Sequence, residues 1–568
     1  MTEDPAPAPA APPPRRSWAT GLRTLAGPAP RSDLVAGLTV GAVVVPQSLA
    51  YAGLAGVPAV TGLAAALAAL AAYALLGSSP VLSVNPTATS SILAASAGLA
   101  IGRADADRYV TALALVAVLA GGLAVAAGLG RLGFLSNLLS RPVLTGYAAG
   151  AAVIIVIGQV GALLGLDVDA HRALPALRDL ARSIDHTSAA TLAVGVTSLA
   201  VLLVLQRRWP RRPAALVVVT GAIVTSRLFE LAEHGVRTVG ALPSGLPHLA
   251  LPDLPADDTR ALLLPAAALA LVGFTEAVAQ GRTFAHPDGA GPDANRELVA
   301  LGAANAASGL CGGFAVSASF SCTALNVRTG ARTRRAGAIT AALVALCLVA
   351  LTPVFEPLPQ ATLAAVVIVA VVPLVQVGTF RRLARLQRDD FLFAVAATAG
   401  TVVLGILPGL ALAVALSVAG LLYRVTVAET AVLGYVPEQD AWRSLERFAE
   451  ARTAPGVLVL RFAGPLYFAN VARLRHEVAE RVAEAGPRLR RVVLDGRAMS
   501  HLDVTALDVL TNLHGALARD GVDLVLAGLR GAALDIVLRS DLARTVGVDR
   551  LVFPTVRAAT ETTSPDGT

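Results

Sequence analysis

Long uninterrupted apolar runs constrain this chain more than any other feature. Leu34 to Leu54, Ser188 to Leu205 and Phe391 to Leu422 each hold about 18 or more consecutive residues with almost no charge. A run of that length matches the hydrocarbon thickness of a bilayer when it is helical. Inside a bilayer every backbone N–H and C=O must be satisfied within the segment, which leaves the α-helix as the natural reading. Hydrophobic residues make up 55% of the chain and charged residues 15%, more apolar surface than a soluble protein of 568 residues can hide in its cores. The spacing predicts about fourteen spanning or half-spanning segments, centred near residues 42, 66, 93, 117, 150, 197, 220, 268, 304, 322, 343, 367, 397 and 415.

Charge placement supplies the orientation. The net charge of +7 is carried without a single Lys, and the Arg residues sit in short connections instead of forming one basic face, which argues against nucleic-acid binding. With the N-terminus in the cytosol and every segment crossing, cytosolic loops hold Arg207, Arg208, Arg211, Arg212, Arg328, Arg332, Arg334, Arg335, Arg381, Arg382, Arg385 and Arg388. Outside loops hold fewer, among them Arg103, Arg108, Arg172 and Arg178. This bias is the positive-inside pattern, and it puts the C-terminal region in the cytosol. Cys311, Cys322 and Cys347 lie in apolar stretches without CxxC or CxxH spacing, so neither a disulfide framework nor a metal site is expected. Residues 1–30, rich in Pro and Ala, read as a disordered cytosolic tail.

Composition changes after Tyr423. Gly456 to Phe462, Arg491 to Asp495 and Asp523 to Ala527 read as strands, and Val471 to Ala485, Thr505 to Arg519 and Ala532 to Leu538 as helices. That alternation predicts a small α/β domain over 440–558, followed by a disordered tail at 559–568. It holds no phosphate loop, nucleophile elbow or metal-ligand set, and no enzymatic role or cofactor is expected anywhere in the chain.

Three features of the membrane part carry chemistry. The short run from Ser83 through Asn85, Pro86 and Thr87 to Ser91 is echoed seven segments later by Ala315 through Ser317, Ser319, Phe320, Ser321 and Cys322 to Thr323. Paired interrupted segments at matching places in two halves point to an inverted repeat with its site at the membrane midplane. A helix beginning in mid-membrane offers unsatisfied N–H groups and a partial positive charge, so two such N-termini can hold an anion, with Ser and Thr hydroxyls as further donors. The competing reading is that these small residues only let helices pack closely. Glu276 lies within the apolar run from Leu269 to Gln280, where a carboxylate is costly unless it works, for instance by carrying a proton; the competing reading is a span end reaching water. Pro46 frees backbone groups in the first segment, and Gln47 and Tyr51, one turn apart, can line a polar cavity or merely pack beside a kink.

The run Val45-Pro46-Gln47-Ser48-Leu49-Ala50-Tyr51 through Pro58, with Gly62-Leu63 and Gly77-Ser78-Ser79-Pro80, resembles the first-segment signature of the sulfate permease (SulP) family. So do Asn295-Arg296-Glu297-Leu298 with Gly302 and Asn305, and Asn326 with Gly330-Ala331-Arg332-Thr333. Gly464 to Asn470 and Asp503-Val504-Thr505-Ala506-Leu507 look like a STAS domain. The resemblance runs from about residue 31 to 558. It implies a fourteen-segment, seven-plus-seven inverted repeat with core and gate subdomains over 31–426, and an elevator-like homodimer in the inner membrane. The implied substrate is sulfate, bicarbonate, chloride or a dicarboxylate. Carried over by position, Gln47, Tyr51, Thr87, Ser319, Phe320 and Ser321 contact the anion, and Glu276 takes the position tied to proton or sodium coupling. Two residues depart from the pattern: Cys322 stands where many members have Arg, and Asn85 where many have Gly. Without that Arg the expectation becomes cation-coupled symport of a monovalent anion or carboxylate. In the STAS region Asp503 is placed to cap a helix, and Thr505 matches a hydroxyl that is phosphorylated in related soluble STAS proteins, or is a plain helix-start residue. A cytosolic regulator at the STAS domain is the further partner this implies. The alternatives are a nucleobase–cation symporter on the same fold and a non-transporting membrane sensor with STAS output.

Overall fold

The computed structural model describes residues 29–98, 101, 105–137, 140–166, 168, 172–209, 214–284, 293–427 and 429–561. The expected tails lie largely outside these residues, as do Arg103, Arg211 and Arg212. The chain forms two units that meet between Ser417 and Val418.

The first unit is helical. Its elements are α1 (Arg31–Ala55), α2 (Ala59–Leu76), α3 (Ala88–Gly98), α4 (Ala106–Leu129), α5 (Arg141–Leu164), α6 (Ala173–Ser183), α7 (Ala189–Arg208) and α8 (Ala214–Leu228). They continue as α9 (Ala256–Thr283), α10 (Ala294–Leu310), α11 (Phe320–Arg328), α12 (Arg335–Phe355, with a π turn at Cys347–Leu351), α13 (Gln360–Val371), α14 (Val377–Leu386), α15 (Arg388–Leu404) and α16 (Ile406–Thr426). Every centre expected from hydropathy falls inside one of these helices. Among the described residues, nine stretches are long and apolar enough to cross a membrane. α6 and α14 are the two helices that hydropathy did not mark.

Local chemistry explains the breaks. α1 ends at Gly56, whose φ of 74° is a left-handed cap that returns its N–H to the carbonyls of Ala52 and Gly53. The apolar run from Phe391 to Leu422 is divided by Gly405 at φ 97°, so α15 and α16 are separate helices. α4 and α10 make the most extensive helix contact in the unit. Small residues allow it: a Cβ added to Gly309 would lie 2.3 Å from the Ala114 carbonyl oxygen, and one on Gly302 2.6 Å from that of Gly121. Close backbone approach at small residues is how helices gain packing in lipid, where apolar burial drives little. The helices form two groups: α4 packs on α9 and α10, α2 on α1, α10 and α12, while α5 packs on α13 and α15 and α7 on α8 and α13.

Two short strands, β1 (Val84–Asn85) and β2 (Ser317–Ala318), pair antiparallel, with Val84 opposite Ala318 and Asn85 opposite Ser317. Each leads directly into a short helix, β1 into α3 and β2 into α11.

The second unit holds a six-stranded sheet in the order β4-β3-β5-β6-β7-β8. The strands are β3 (Thr430–Val436), β4 (Ala441–Ser444), β5 (Val457–Phe462), β6 (Arg491–Asp495), β7 (Asp523–Ala527) and β8 (Val552–Phe553). β5 to β8 are parallel, with β3 and β4 added antiparallel at one edge. The helices are α17 (Val471–Ala485), α18 (Val504–Arg519), α19 (Gly531–Leu538), α20 (Asp541–Val546), α21 (Val548–Leu551) and α22 (Val556–Glu561). Leu460, Val492, Leu494, Leu510 and Val537 are fully buried in its core. The interior strands and long helices coincide with the expected ones within a residue. The sheet also takes in β3, ahead of the expected start at residue 440, and α22 runs through Glu561, beyond the expected end at 558.

Candidate functional site

The β1–β2 pair brings together the N-termini of the two broken helices. Thr87 caps α3: its Oγ1 accepts from Ser90 N at 3.2 Å, and Ser90 Oγ accepts from Thr87 N at 3.1 Å, a reciprocal capping arrangement. Ser319 caps α11, with its Oγ 3.5 Å from Cys322 N. Each cap also holds the other half of the chain. Thr87 Oγ1 lies 2.8 Å from Ser317 Oγ, and Ser319 N donates to the Ser83 carbonyl at 2.8 Å. The leading N–H groups of both helices, at Ala88 and Thr89 and at Phe320 and Ser321, make no hydrogen bond among the described residues. These free donors are what an anion would meet.

Glu276, in mid-α9, belongs to this junction. Ser317 Oγ donates to its Oε2 at 3.0 Å, and Thr89 lines the crevice beside the same carboxylate. A hydroxyl has one proton. That of Ser317 goes to Glu276, and Thr87 Oγ1 lies within reach of both Ser90 Oγ at 3.0 Å and Ser317 Oγ at 2.8 Å. A cluster of hydroxyls therefore links α3, β2 and the carboxylate. Glu276, Ser317, Thr89, Ser90 and Gly273 line a crevice too tight to admit a water molecule. One turn along α9, Gln280 Nε2 donates to the Ala318 carbonyl at 2.8 Å and ties the same helix to β2. Among the described residues no Arg forms an ion pair with Glu276.

A second cluster lies on the α1 side. Gln47 and Tyr51 are buried one turn apart, and α1 packs on both α3 and α11. Cys322 is fully buried, and its Sγ donates to Gln47 Oε1 at 3.4 Å. The residue standing where a cation was expected is thus a neutral link between α11 and α1. Asn85 is buried too, and its amide is used locally, accepting from Ser83 Oγ at 3.2 Å and donating to the Pro86 carbonyl at 3.1 Å. Phe320 and Ser321 lie on the exposed side of the first turn of α11. Phe320 stacks on Phe284 with ring centroids 5.1 Å apart, and Ser321 Oγ is 3.3 Å from Ser319 Oγ. The expected residues therefore divide into a Glu276–Thr87 group, a Gln47–Tyr51–Cys322 group and an exposed pair. Ser317 marks the start of the second broken helix already in the sequence, whereas Thr89, Ser90 and Gln280 complete the junction without having been singled out there. Their signal was their place in the first hydroxyl-rich run and one turn beyond Glu276.

In the sheet-bearing unit, Asp503 Oδ1 accepts from Ala506 N at 2.7 Å and caps α18, while its Oδ2 accepts from Phe468 N at 2.8 Å. Thr505 is exposed in the first turn. Asp495, at the end of β6, is fully buried and receives Arg461 Nε at 2.8 Å and Arg497 Nε at 2.9 Å. Burial pushes its carboxyl up, but the two guanidinium groups outweigh that and hold it below the usual carboxylate range.

Helices long and apolar enough to cross a membrane, with two broken helices joined at their N-termini, followed by a mixed α/β domain, define the class as a membrane transporter with an appended α/β domain. The sequence comparisons make this specific: residues 31–397 match the sulfate permease family and residues 448–559 the STAS domain. The chain belongs to the sulfate permease family, whose members are transporters and not enzymes. A probable sulfate transporter of Mycobacterium tuberculosis is 36% identical over 518 residues, covering 91% of this chain and 92% of that one. A probable sulfate transporter of Arabidopsis thaliana is 29% identical over 544 residues, covering 92% and 83%. The inward-facing structure of the murine Solute Carrier 26 family member A9 anion transporter superposes with a TM-score of 0.87 at 22% identity, over 98% of this chain and 96% of that one. The transmembrane domain of a cyanobacterial bicarbonate transporter superposes with a TM-score of 0.60 at 24% identity, over 67% and 97%.

Proposed function

We propose that this protein is a secondary transporter of a small anion, sulfate, bicarbonate, chloride or a carboxylate, coupled to a proton or sodium ion through Glu276. The observation that carries the reading is the junction itself. Two broken helices are joined at their N-termini by β1 and β2, and a carboxylate that accepts from the Ser317 hydroxyl is hydrogen-bonded into that joint. The free N–H groups and the partial positive charge of the two N-termini suit an anion. Ser319, Phe320 and Ser321 would meet it from α11, Thr87 from α3, and Gln47 and Tyr51 from α1. A bound cation at Glu276 would supply the positive charge that Cys322 does not. The two helix groups would serve as core and gate of an elevator-like step in a homodimer, with the N-terminus and the STAS domain on the cytosolic face of an inner membrane. The STAS domain would take a cytosolic regulator near Asp503 and Thr505.

Uptake into proteoliposomes tests this. Labelled anion should accumulate under an imposed inward proton or sodium gradient, and other small anions should compete. Accumulation indifferent to both gradients overturns the coupled reading. Competition by uracil in place of anions points to nucleobase transport, and binding without flux to a sensor.

A further inference from the structure

α14 is a feature that the transport site does not use. From sequence its arginines are a topology signal in a connection between spans. The structure instead makes Val377–Leu386 a regular helix in which charge is sorted by face. At about 100° per residue, Arg381, Arg382 and Arg385 fall within an arc of about 100°, with Gly378 at its centre. Val377, Phe380, Leu383, Ala384 and Leu386 occupy the rest of the circumference. Gly378, Arg381, Arg382, Arg385 and Leu386 line a groove of about 440 Å³. None of Arg381, Arg382, Arg385 or the following Arg388 forms an ion pair among the described residues, although Asp389 and Asp390 begin the next helix. No residue of α14 is fully buried, and Val377 and Leu386 are 52% and 72% exposed.

Connectivity fixes where this helix lies. It follows the apolar helix α13 after a short turn at Val372–Leu374. It gives way to the apolar helix α15 at one residue, Gln387, whose extended backbone (φ −155°, ψ 98°) breaks the helical path. A ten-residue amphipathic helix tied at both ends to apolar helices suits the bilayer boundary, its apolar face toward acyl chains and its basic face toward the headgroup layer. α6, the other amphipathic helix, carries Asp179 between Arg178 and Arg182, so its polar face is mixed in sign. α14 has no acidic residue.

We propose that α14 is a docking site for anionic phospholipid headgroups, with Arg381, Arg382 and Arg385 holding the phosphodiester and Phe380 and Leu383 seated among the acyl chains. Three unpaired guanidinium groups on one arc suit a phosphate with two non-ester oxygens.

The test uses the full-length protein in phosphatidylcholine nanodiscs doped with a trace of photoactivatable phosphatidylglycerol, or of the matching phosphatidylcholine, followed by peptide mapping. Labelling of residues 377–388 should favour phosphatidylglycerol on the order of tenfold. That preference should fall when salt is raised to about 1 M, where the screening length is about 3 Å. R381Q/R382Q/R385Q should bring labelling down to the phosphatidylcholine level, and the triple Lys variant should keep most of it. Equal labelling by the two lipids in the unaltered protein overturns the proposal without reliance on any variant. So does displacement of phosphatidylglycerol by millimolar inorganic phosphate or sulfate, which would mark a soluble-anion site. Cross-linking of α14 to a protein segment, the chain's own STAS domain included, in place of lipid also overturns it.

Discussion

Two carboxylates, one in each unit, are held in opposite ways. Asp495 in the STAS sheet is flanked by Arg461 and Arg497, which make charged hydrogen bonds to both its oxygens. Glu276 in α9, partly buried, accepts from the Ser317 hydroxyl and pairs with no guanidinium among the described residues. Buried charge is tolerated where it is paired and hydrogen-bonded. Asp495 is therefore a fixed anion that locks the end of β6 to β5. Glu276 has no such ion pair among the described residues, and in the proposed coupling role its charge would be met by an ion that arrives and departs. What stands within hydrogen-bonding reach sets the two carboxylates apart.

The largest break in this comparison is Glu276→Gln. It keeps the shape and the acceptor for Ser317 but removes the exchangeable charge, and should lower gradient-driven uptake by at least about tenfold, or about 1.4 kcal/mol in barrier terms. Gradient-driven uptake that survives the substitution would remove Glu276 from the coupling role. In the other unit, Asp495→Asn should destabilise the sheet by about 2 kcal/mol, below the range for a fully buried pair because Arg461 and Arg497 are 32% and 49% exposed and water takes up their charge. Hydrogen-exchange protection of the β5–β7 amides in the full chain measures it, and transport should be affected far less than by the change at Glu276.

pH sharpens the contrast. The Asp495 carboxyl is held low in the folded state, so its stabilising contribution is complete above the ordinary carboxylate value of about 3.9. It is lost as pH falls below that value through the depressed folded one. Sheet stability should drop over that acid window in the unaltered protein and drop less with Asn at 495. A smaller effect is expected for Ser317→Ala, which removes one donor from Glu276 and one bridge to Thr87. Apparent affinity for the coupling cation should change about five-fold, in keeping with about 1 kcal/mol for one hydrogen bond. Maximal rate should change less than affinity; the reverse would make Ser317 a packing residue.

The legible parts of the molecule are those with a strong local signal. Spans show in hydropathy because lipid leaves a helix no other way to satisfy its backbone, and the interior strands β5, β6 and β7 show as apolar β-branched runs. β3, β4 and β8 did not show: they are short or lie at the edge, and pairing rather than propensity holds them. At the junction, Thr87, Ser319 and Glu276 could be picked out because a hydroxyl-rich interruption or a carboxylate is conspicuous in an apolar span. Thr89 and Gln280 were quoted within the same runs yet not chosen, since which hydroxyl meets the carboxylate depends on the β1–β2 register. α14 was hidden for another reason. Linear hydropathy merges it with α13, and only the helix geometry separates its arginines from its apolar side.

The β1–β2 pair has a consequence for biosynthesis. Thr87 and Ser317 touch across 230 residues of sequence, so the two broken helices cannot be joined as seen here until Ser317 has been made. During translation α3 must wait, short and incompletely bonded, while six further spans are made. Contacts of such long sequence separation form late and leave intermediates exposed. The β1–β2 junction is thus among the last parts of the permease to exist, and a ribosome that stalls before Ser317 leaves a chain with many of its spans and no junction.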